Sequence, residues 1–99
     1  MISDKQLQVY AIILQSLYDL KLDGNFEGYE FSQNQWELYI YKYVTHTDYV
    51  TGFALVVKTD GSVVDIGTVL GPDVTYTYDE ITSDIDVVNE LVQNFIDAE

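Results

Sequence analysis

The side chains that could do chemistry in this 99-residue chain are almost all carboxylates. There are 17 aspartates and glutamates, a single histidine and no cysteine. Neighbouring acids, such as Asp79 with Glu80 or Asp84 with Asp86, could move protons only in a cleft, and could bind a divalent ion weakly. For Asp84 and Asp86, capping of a helix is a sufficient explanation.

Other features typical of a catalytic centre are missing from the sequence. His46 lies in a predicted turn, where a lone exposed residue is the usual outcome. There is no glycine-rich phosphate loop, no nucleophile elbow and no histidine cluster that would hold a metal. We therefore expect a protein that is not an enzyme, with no catalytic residue, no metal site and no cofactor.

One segment partly fits the calcium-binding loop of an EF-hand. Counted from Asp19, acids stand at positions 1, 5 and 12, which are Asp19, Asp23 and Glu30, and Gly24 stands at position 6. Lys21, however, occupies position 3, where the loop should supply an oxygen ligand. The residues after Glu30 are also strand-like rather than helical. We interpret the match as coincidence.

The distribution of charge carries the most functional information. From Thr59 to the C-terminus the chain has ten carboxylates and no lysine or arginine, whereas the first 58 residues have seven carboxylates and four lysines. The formal net charge is −13. Such a charge repels nucleic acid and anionic membranes and attracts basic protein surfaces at long range. We therefore expect a basic protein partner, and neither direct nucleic-acid binding nor membrane binding.

The composition predicts a folded protein in spite of this acidity. The chain is 47% hydrophobic and contains nine tyrosines, four phenylalanines and one tryptophan, unlike disordered acidic chains. Its length suits a single domain over residues 1–99. The first residues lack a secretory-signal pattern, and no apolar run approaches the length of a membrane span, so a cytoplasmic location is expected.

The pattern of apolar residues predicts an α+β domain, with an antiparallel meander of about four strands and an N-terminal and a C-terminal helix packed on it. Ser3 and Gln6 have capping-box spacing at the start of the first helix, and Gly24 is expected to end it. Ser83 is expected to be the N-cap of the second helix. The strands are predicted over residues 26–31, 36–45, 50–58 and 62–70, and the sheet-facing stripe of the second helix comprises Ile85, Val88, Leu91, Val92 and Phe95.

Two turns determine the expected register of the central strands. Asp60-Gly61 has the composition of a two-residue hairpin turn, and residues 46–49 form a four-residue loop. The predicted pairs are Leu55 with Ile66 and Val57 with Val64 across the turn, and Leu38 with Val57, Ile40 with Leu55, Tyr41 with Ala54 and Tyr43 with Gly52 across the loop.

Alternate positions of the second predicted strand are tyrosines: Tyr39, Tyr41 and Tyr43. In the expected register they leave the sheet on the face opposite to the core, with Val56 and Val63 beside them, whereas Ile66 faces the core. If both helices cover the core face, the tyrosines line an open surface suited to a protein interface. If one helix covers each face, the tyrosines are packed under it. The sequence leaves both arrangements open.

The carboxylates after Thr59 form a second candidate surface. Spaced along strands, turns and a helix, they would imitate a row of phosphates and occupy the basic groove of a nucleic-acid-binding protein. The alternative is an ordinary solvated surface that keeps the protein soluble. The predicted contact residues are Asp65, Asp73, Asp79, Glu80, Asp84, Asp86 and Glu90.

In size, charge and arrangement the whole chain resembles the small acidic inhibitors encoded by bacteriophages and other mobile elements. These include anti-CRISPR proteins, anti-restriction DNA mimics and inhibitors of uracil-DNA glycosylase. The resemblance implies a non-enzymatic inhibitor that binds the nucleic-acid groove of a host enzyme. The alternative function is a protein–protein interaction module, or a homodimer, that uses the tyrosines. Residues 79–95, DEITSDIDVVNELVQNF, resemble the closing segment of a family of small uncharacterised Firmicutes proteins, which implies a source but no activity.

Overall fold

The architecture is a five-stranded antiparallel meander, in the order β1-β2-β3-β4-β5, with a helix at each end of the chain. The computed structural model describes residues 1–68 and 71–99. The predicted α+β class is confirmed, with five strands rather than four. The elements are α1 (Asp4–Leu20), β1 (Tyr29–Gln33), β2 (Leu38–Thr45), β3 (Val50–Val57), β4 (Val63–Ile66), β5 (Val74–Tyr76), α2 (Tyr78–Ser83) and α3 (Ile85–Asp97).

The first helix begins as its sequence predicts and ends earlier. The Ser3 hydroxyl accepts the backbone N–H of Gln6, and the Gln6 side chain accepts the backbone N–H of Ser3, both at 3.1 Å. This is the capping box expected from the spacing. The helix ends at Leu20, and Gly24, with a φ of 61°, lies in the turn that follows rather than at the helix terminus.

The register between β2 and β3 is the predicted one. Leu38 pairs with Val57, and Tyr43 pairs with Gly52. A four-residue loop joins the strands, and the backbone N–H of His46 donates to the carbonyl of Tyr49 across 2.8 Å. Because loop length determines hairpin register, this pairing could be predicted from sequence.

The register between β3 and β4 differs from the prediction by one residue. Val57 pairs with Val63 rather than Val64, and Leu55 pairs with Asp65 rather than Ile66. The physical reason is the loop that joins the strands, which contains three residues rather than two.

This loop is a tight turn followed by a left-handed glycine. The backbone N–H of Gly61 donates to the carbonyl of Lys58, and the N–H of Lys58 donates to the carbonyl of Ser62, both across 2.9 Å. Gly61 has a φ of 80°, but Asp60 has no positive φ, which a two-residue type I′ turn would require. Instead, the Asp60 carboxylate accepts the backbone N–H of Ser62 across 2.9 Å.

A shift of one residue exchanges the two faces of a strand. Val63 and Asp65 therefore face the helices and are buried, whereas Ile66 is 37% exposed on the opposite face. The predictions that Val63 lies beside the tyrosines and that Ile66 faces the core are both wrong. The last two residues of the predicted fourth strand, 69 and 70, lie outside the described residues.

After β4 the chain forms two elements, β5 and α2, that were not predicted from the sequence. Thr77 is the N-cap of α2 and forms a capping box with Glu80. Ser83 is the last residue of α2, and the N-cap of α3 is Asp84, whose carboxylate accepts the N–H of Asp86 across 3.0 Å. The prediction that Ser83 caps the second helix is therefore wrong. The predicted first strand is also shifted, from residues 26–31 to Tyr29–Gln33.

All three helices contribute to one core on one face of the sheet. Four of the five predicted stripe residues of α3 are buried there, but Ile85 is 61% exposed. Among the described residues, no helix is both long enough and apolar enough to cross a membrane. The fully buried contributors are Val9, Ile13 and Leu17 from α1, Ile81 from α2, Val88, Leu91, Val92 and Phe95 from α3, and Ile40, Leu55, Val57 and Val63 from the sheet.

Two polar side chains attach the helices to this face. Gln6, fully buried, donates from Nε2 to the carbonyls of Trp36 and Val57, each across 2.8 Å. Lys42 points from β2 to the C-terminus of α3, where its Nζ donates to the carbonyls of Phe95 and Ala98 across 3.2 and 2.6 Å. The last carbonyls of a helix lack partners within the helix, and a cation stabilises them.

We predict that Gln6→Met destabilises the fold by about 2 kcal/mol, because at nearly constant side-chain volume it removes the donor to the Val57 carbonyl, one of two donors to the Trp36 carbonyl, and the capping-box acceptor of the Ser3 N–H. Urea unfolding measures the change in the free energy of unfolding. Gln15→Met, on the exposed side of α1, is the matched control and should change it by less than about 0.5 kcal/mol. Equal effects of the two substitutions would contradict the role given to Gln6.

Candidate interaction surfaces

Five of the seven predicted contact acids lie together along α2 and the start of α3. We call this set the acidic helix surface. Every one of its residues is exposed. Its members are Asp79 and Glu80 in the first turn of α2, Asp84 between the helices, and Asp86 and Glu90 on α3.

Local structure explains why carboxylates stand at these positions. The N-terminus of a helix has unpaired N–H groups and a partial positive charge, so acids are stabilising there. Two of the five acids have direct capping roles: Glu80 accepts the N–H of Thr77, and Asp84 accepts the N–H of Asp86. The remaining three, Asp79, Asp86 and Glu90, have no such role.

The negative charge of this surface has little compensation from lysine. In residues 1–68 and 71–99, the single salt bridge is between Lys21 and Asp23, at 2.9 Å. Lys42 is engaged at the end of α3, and Lys58 is exposed near the β3–β4 loop. Lys5 lies near α2, with its Nζ 4.9 Å from the centre of the Tyr78 ring.

Two of these acids affect the pKa of Tyr76 in β5. Burial raises the pKa of the Tyr76 hydroxyl, and the negative charges of Asp65, Glu90 and Glu80 raise it further. Glu80 belongs to α2 and Glu90 to α3. Carboxylates of both helices therefore contribute to the raised pKa of this one tyrosine.

Asp65 is not part of any exposed surface, although it was a predicted contact residue. Its side chain is 1% exposed, because the shifted register turns it towards the helices. One carboxylate oxygen accepts the Thr68 hydroxyl, and Oδ1 has no hydrogen-bond partner within the described part of the chain. Burial raises the pKa of this carboxyl group. Asp73 is exposed but precedes β5, outside the acidic helix surface.

The opposite side of the sheet carries the three tyrosines. Tyr39 and Tyr41 stack with ring centres 5.5 Å apart, and Tyr41 and Tyr43 stack at 6.1 Å. Because all three helices pack on the other face, the tyrosine side of the sheet is open, which was one of the two arrangements expected. Beneath the rings, Val56 and Ala54 are only 6% and 8% exposed.

We use the name tyrosine face for the sheet side that carries Tyr39, Tyr41 and Tyr43. Strand pairing places Val50, Gly52, Ala54 and Val56 of β3 on this side, followed by Val64 and Ile66 of β4. A shallow groove of about 250 Å³ runs along the tyrosine row. Its lining residues are Tyr41, Tyr43, Gly52, Phe53, Ala54 and Ile66.

One end of the tyrosine row is held by hydrogen bonds. The Tyr39 hydroxyl donates to the Glu37 carboxylate across 2.8 Å and accepts from the Asn34 amide across 2.9 Å. The bond to Glu37 is the main cause of a raised pKa at Tyr39. At the other end, Tyr43 is 43% exposed. The row is therefore held by hydrogen bonds at Tyr39 and is accessible to solvent at Tyr43.

A second groove, of about 420 Å³, lies between α1 and α3 and was not anticipated from the sequence. Ser16 donates to Asn89 across 2.8 Å and links the two helices there. Ile12 and Leu20 of α1 and the exposed Ile85 of α3 supply apolar walls. Ile85 is the first residue of α3, directly after the break between α2 and α3. The capping box of α2 was the one feature of the sequence that could have indicated a separate helix before this break.

The remaining candidate residues are engaged in local contacts. His46 stacks on Tyr49 at 4.3 Å and lies 3.0 Å from the Thr51 hydroxyl. In the EF-hand-like segment, Asp23 pairs with Lys21, which lowers the pKa of Asp23, and Glu30 lies on β1. Within the described ranges, no three His, Cys, Asp or Glu side chains are grouped in a way that could hold a metal ion.

Comparison with known proteins gives no relative from which a function could be transferred. The chain matches no protein-family model, no curated protein and no solved structure.

The buried Asp65 gives a prediction about pH. Its pKa in the folded protein is raised above the unfolded value of about 3.9, so the folded state binds this proton more tightly. The stability contributed by this site therefore falls as pH rises from about 4 through the folded pKa. Asp65→Asn, which removes the buried charge, should stabilise the protein at pH 7 by about 1 kcal/mol.

Urea unfolding at several pH values between about 4 and 7 tests this expectation, with the gain from Asp65→Asn shrinking as pH falls. Asp48→Asn is the control, since Asp48 is exposed in the β2–β3 loop, and its effect should be small at every pH. If Asp65→Asn instead destabilised the protein at pH 7, the prediction would be wrong, and the fold would require the ionised carboxylate of Asp65.

Proposed function

We propose that this chain is a non-enzymatic inhibitor that binds the basic nucleic-acid groove of an enzyme that handles DNA or RNA. The contact is made by the acidic helix surface. The observation that carries the proposal is the grouping of five exposed carboxylates on consecutive helices, in a part of the chain without lysine or arginine.

Helix capping accounts for part of this acidity but not for all of it. Glu80 and Asp84 hold cap hydrogen bonds, whereas Asp79 and Glu90 hold none through their carboxylates. An ordinary solvated surface mixes both signs of charge, because like charges in proximity repel and destabilise the folded state. Retaining like charges on one surface is expected where a partner of opposite charge binds there.

The arrangement of these acids suits a nucleic-acid groove. Asp86 and Glu90 are separated by about one helical turn, roughly 6 Å along the axis, so both carboxylates can face the same partner. Basic grooves attract such a row by long-range electrostatics, so association should be fast and should weaken as salt is added. This mode of action is that of the acidic inhibitors from mobile elements that the chain resembles.

The test must remove charge without removing helix caps. The variant Asp79→Asn/Asp86→Asn/Glu90→Gln leaves Glu80 and Asp84 unchanged. A matched control, Glu27→Gln/Asp48→Asn/Glu99→Gln, neutralises three exposed acids outside the acidic helix surface. Both variants change the net charge by the same amount, so they separate the position of the charge from its total.

The assay is displacement of a labelled DNA duplex from purified CRISPR nucleases, restriction enzymes and uracil-DNA glycosylases. We predict that the parent chain displaces DNA from a member of this panel. The helix variant should require at least about tenfold more protein for the same displacement, whereas the control should require less than about threefold more. No displacement from any enzyme, or equal losses for the two variants, would contradict the proposal.

A further inference from the structure

We propose that the tyrosine face is a homodimer interface, in which two copies of the chain pack sheet against sheet about a two-fold axis parallel to the strands. The inference does not depend on the proposed inhibitor function. It rests on the shape of this face, on its charge and on its area.

The shape of the face is a ridge beside a groove. The stacked rings of Tyr41 and Tyr43 form the ridge on β2, and Gly52 and Ala54 form the floor of the adjacent groove on β3. Ile66 of β4 forms the opposite wall. The strands that carry the ridge and the groove floor are neighbours, about 4.8 Å apart, and run side by side.

A ridge beside a parallel groove is complementary to itself. Rotation by a half turn about an axis between β2 and β3 places the ridge of each copy in the groove of the other, as an isologous interface requires. Tyr43 of each copy then lies beside the exposed Gly52 of the other, because these two residues already share a row across the sheet. This contact places a large side chain against a small one.

The charge of the face favours a second copy over a basic partner. Among the strand residues that share this face in the described chain, Glu30 of β1 is the one charged residue. A basic partner would therefore find little complementary charge here. In a face-to-face dimer the helices of both copies point outwards, so two sheets and two helix layers, roughly 30 Å, separate the acidic helix surfaces. This distance exceeds the Debye length of about 8 Å at physiological salt.

The area of the face predicts a weak dimer rather than a permanent one. Five strands of these lengths present roughly 450 Å² of sheet on each copy, or roughly 900 Å² in total. Stable interfaces bury about 1,200 Å² or more, and smaller ones are typical of transient complexes. We therefore expect dissociation in the micromolar range, and a dimer that presents an acidic helix surface on each outer side.

Sedimentation equilibrium of the full chain across protein concentrations tests the proposal. The expected result is a mass that rises from 11.3 kDa towards twice that value. Raising salt from about 0.05 to 0.5 M should leave the dimer unchanged or tighten it slightly, since the acidic helix surfaces of the two copies are separated by more than the Debye length. A chain that stays at 11.3 kDa up to about 0.5 mM, above the micromolar range expected for a small interface, would overturn the proposal. So would a dimer that loosens as salt is added.

Two variants test whether the dimer uses this face. Tyr43→Glu should raise the dissociation constant at least about tenfold, because it buries a charge in the interface. Tyr18→Glu is the control: Tyr18 is similarly exposed, at 58% against 43%, but lies on α1 on the opposite side of the sheet. This control should change the constant less than about twofold.

Gly52→Ala is a second test that should preserve the fold. A methyl group at Gly52 would lie 3.7 Å from two ring carbons of Tyr43, an ordinary contact, but would fill the groove floor where the second copy packs. We expect a several-fold weaker dimer. If Tyr43→Glu and Gly52→Ala both leave the dimer unchanged, it forms elsewhere. A chain that is monomeric but still displaces DNA would overturn the dimer and leave the proposed function standing.

Discussion

Gln6 and Lys42 attach the helices to one face of the sheet, and the other surfaces depend on this one-sided packing. Gln6 joins the start of α1 to the carbonyls of Trp36, which precedes β2, and of Val57 in β3, and Lys42 joins β2 to the end of α3. Each satisfies polar groups that would be costly to bury alone. With the helices held there, the tyrosine face stays open and the acidic helix surface points away from it.

The sequence predicted the structure well where local chemistry has one solution. The β2–β3 pairing followed from a four-residue loop and from large residues opposite small ones, such as Tyr43 opposite Gly52. The β3–β4 pairing did not, because Asp60-Gly61 fits a two-residue turn and also a three-residue loop that ends in a left-handed glycine. Their registers differ by one residue, and that difference determines whether Asp65 is exposed or buried.

The acidic helix surface was predictable in composition but not in form. The acids are visible in the sequence, but α2 is six residues long, too short for a helical periodicity to be recognised. Its one clear signal was Thr77 with Glu80 at capping-box spacing. The open tyrosine face could not be predicted, because the position of the helices depends on long-range contacts such as Gln6 with Val57. The fold thus separates two surfaces, with the acidic helix surface on one side and the tyrosine face on the other.

Carbodiimide labelling of carboxylates, read by mass spectrometry, tests the central claim most directly. The chain would be labelled alone and in complex with an enzyme from which it displaces DNA. The account predicts that Asp79, Asp86 and Glu90 lose reactivity in the complex, whereas Glu27 and Asp48 keep theirs. Protection of Glu27 and Asp48 with the helix acids still reactive would show that the partner binds elsewhere, and would contradict the account.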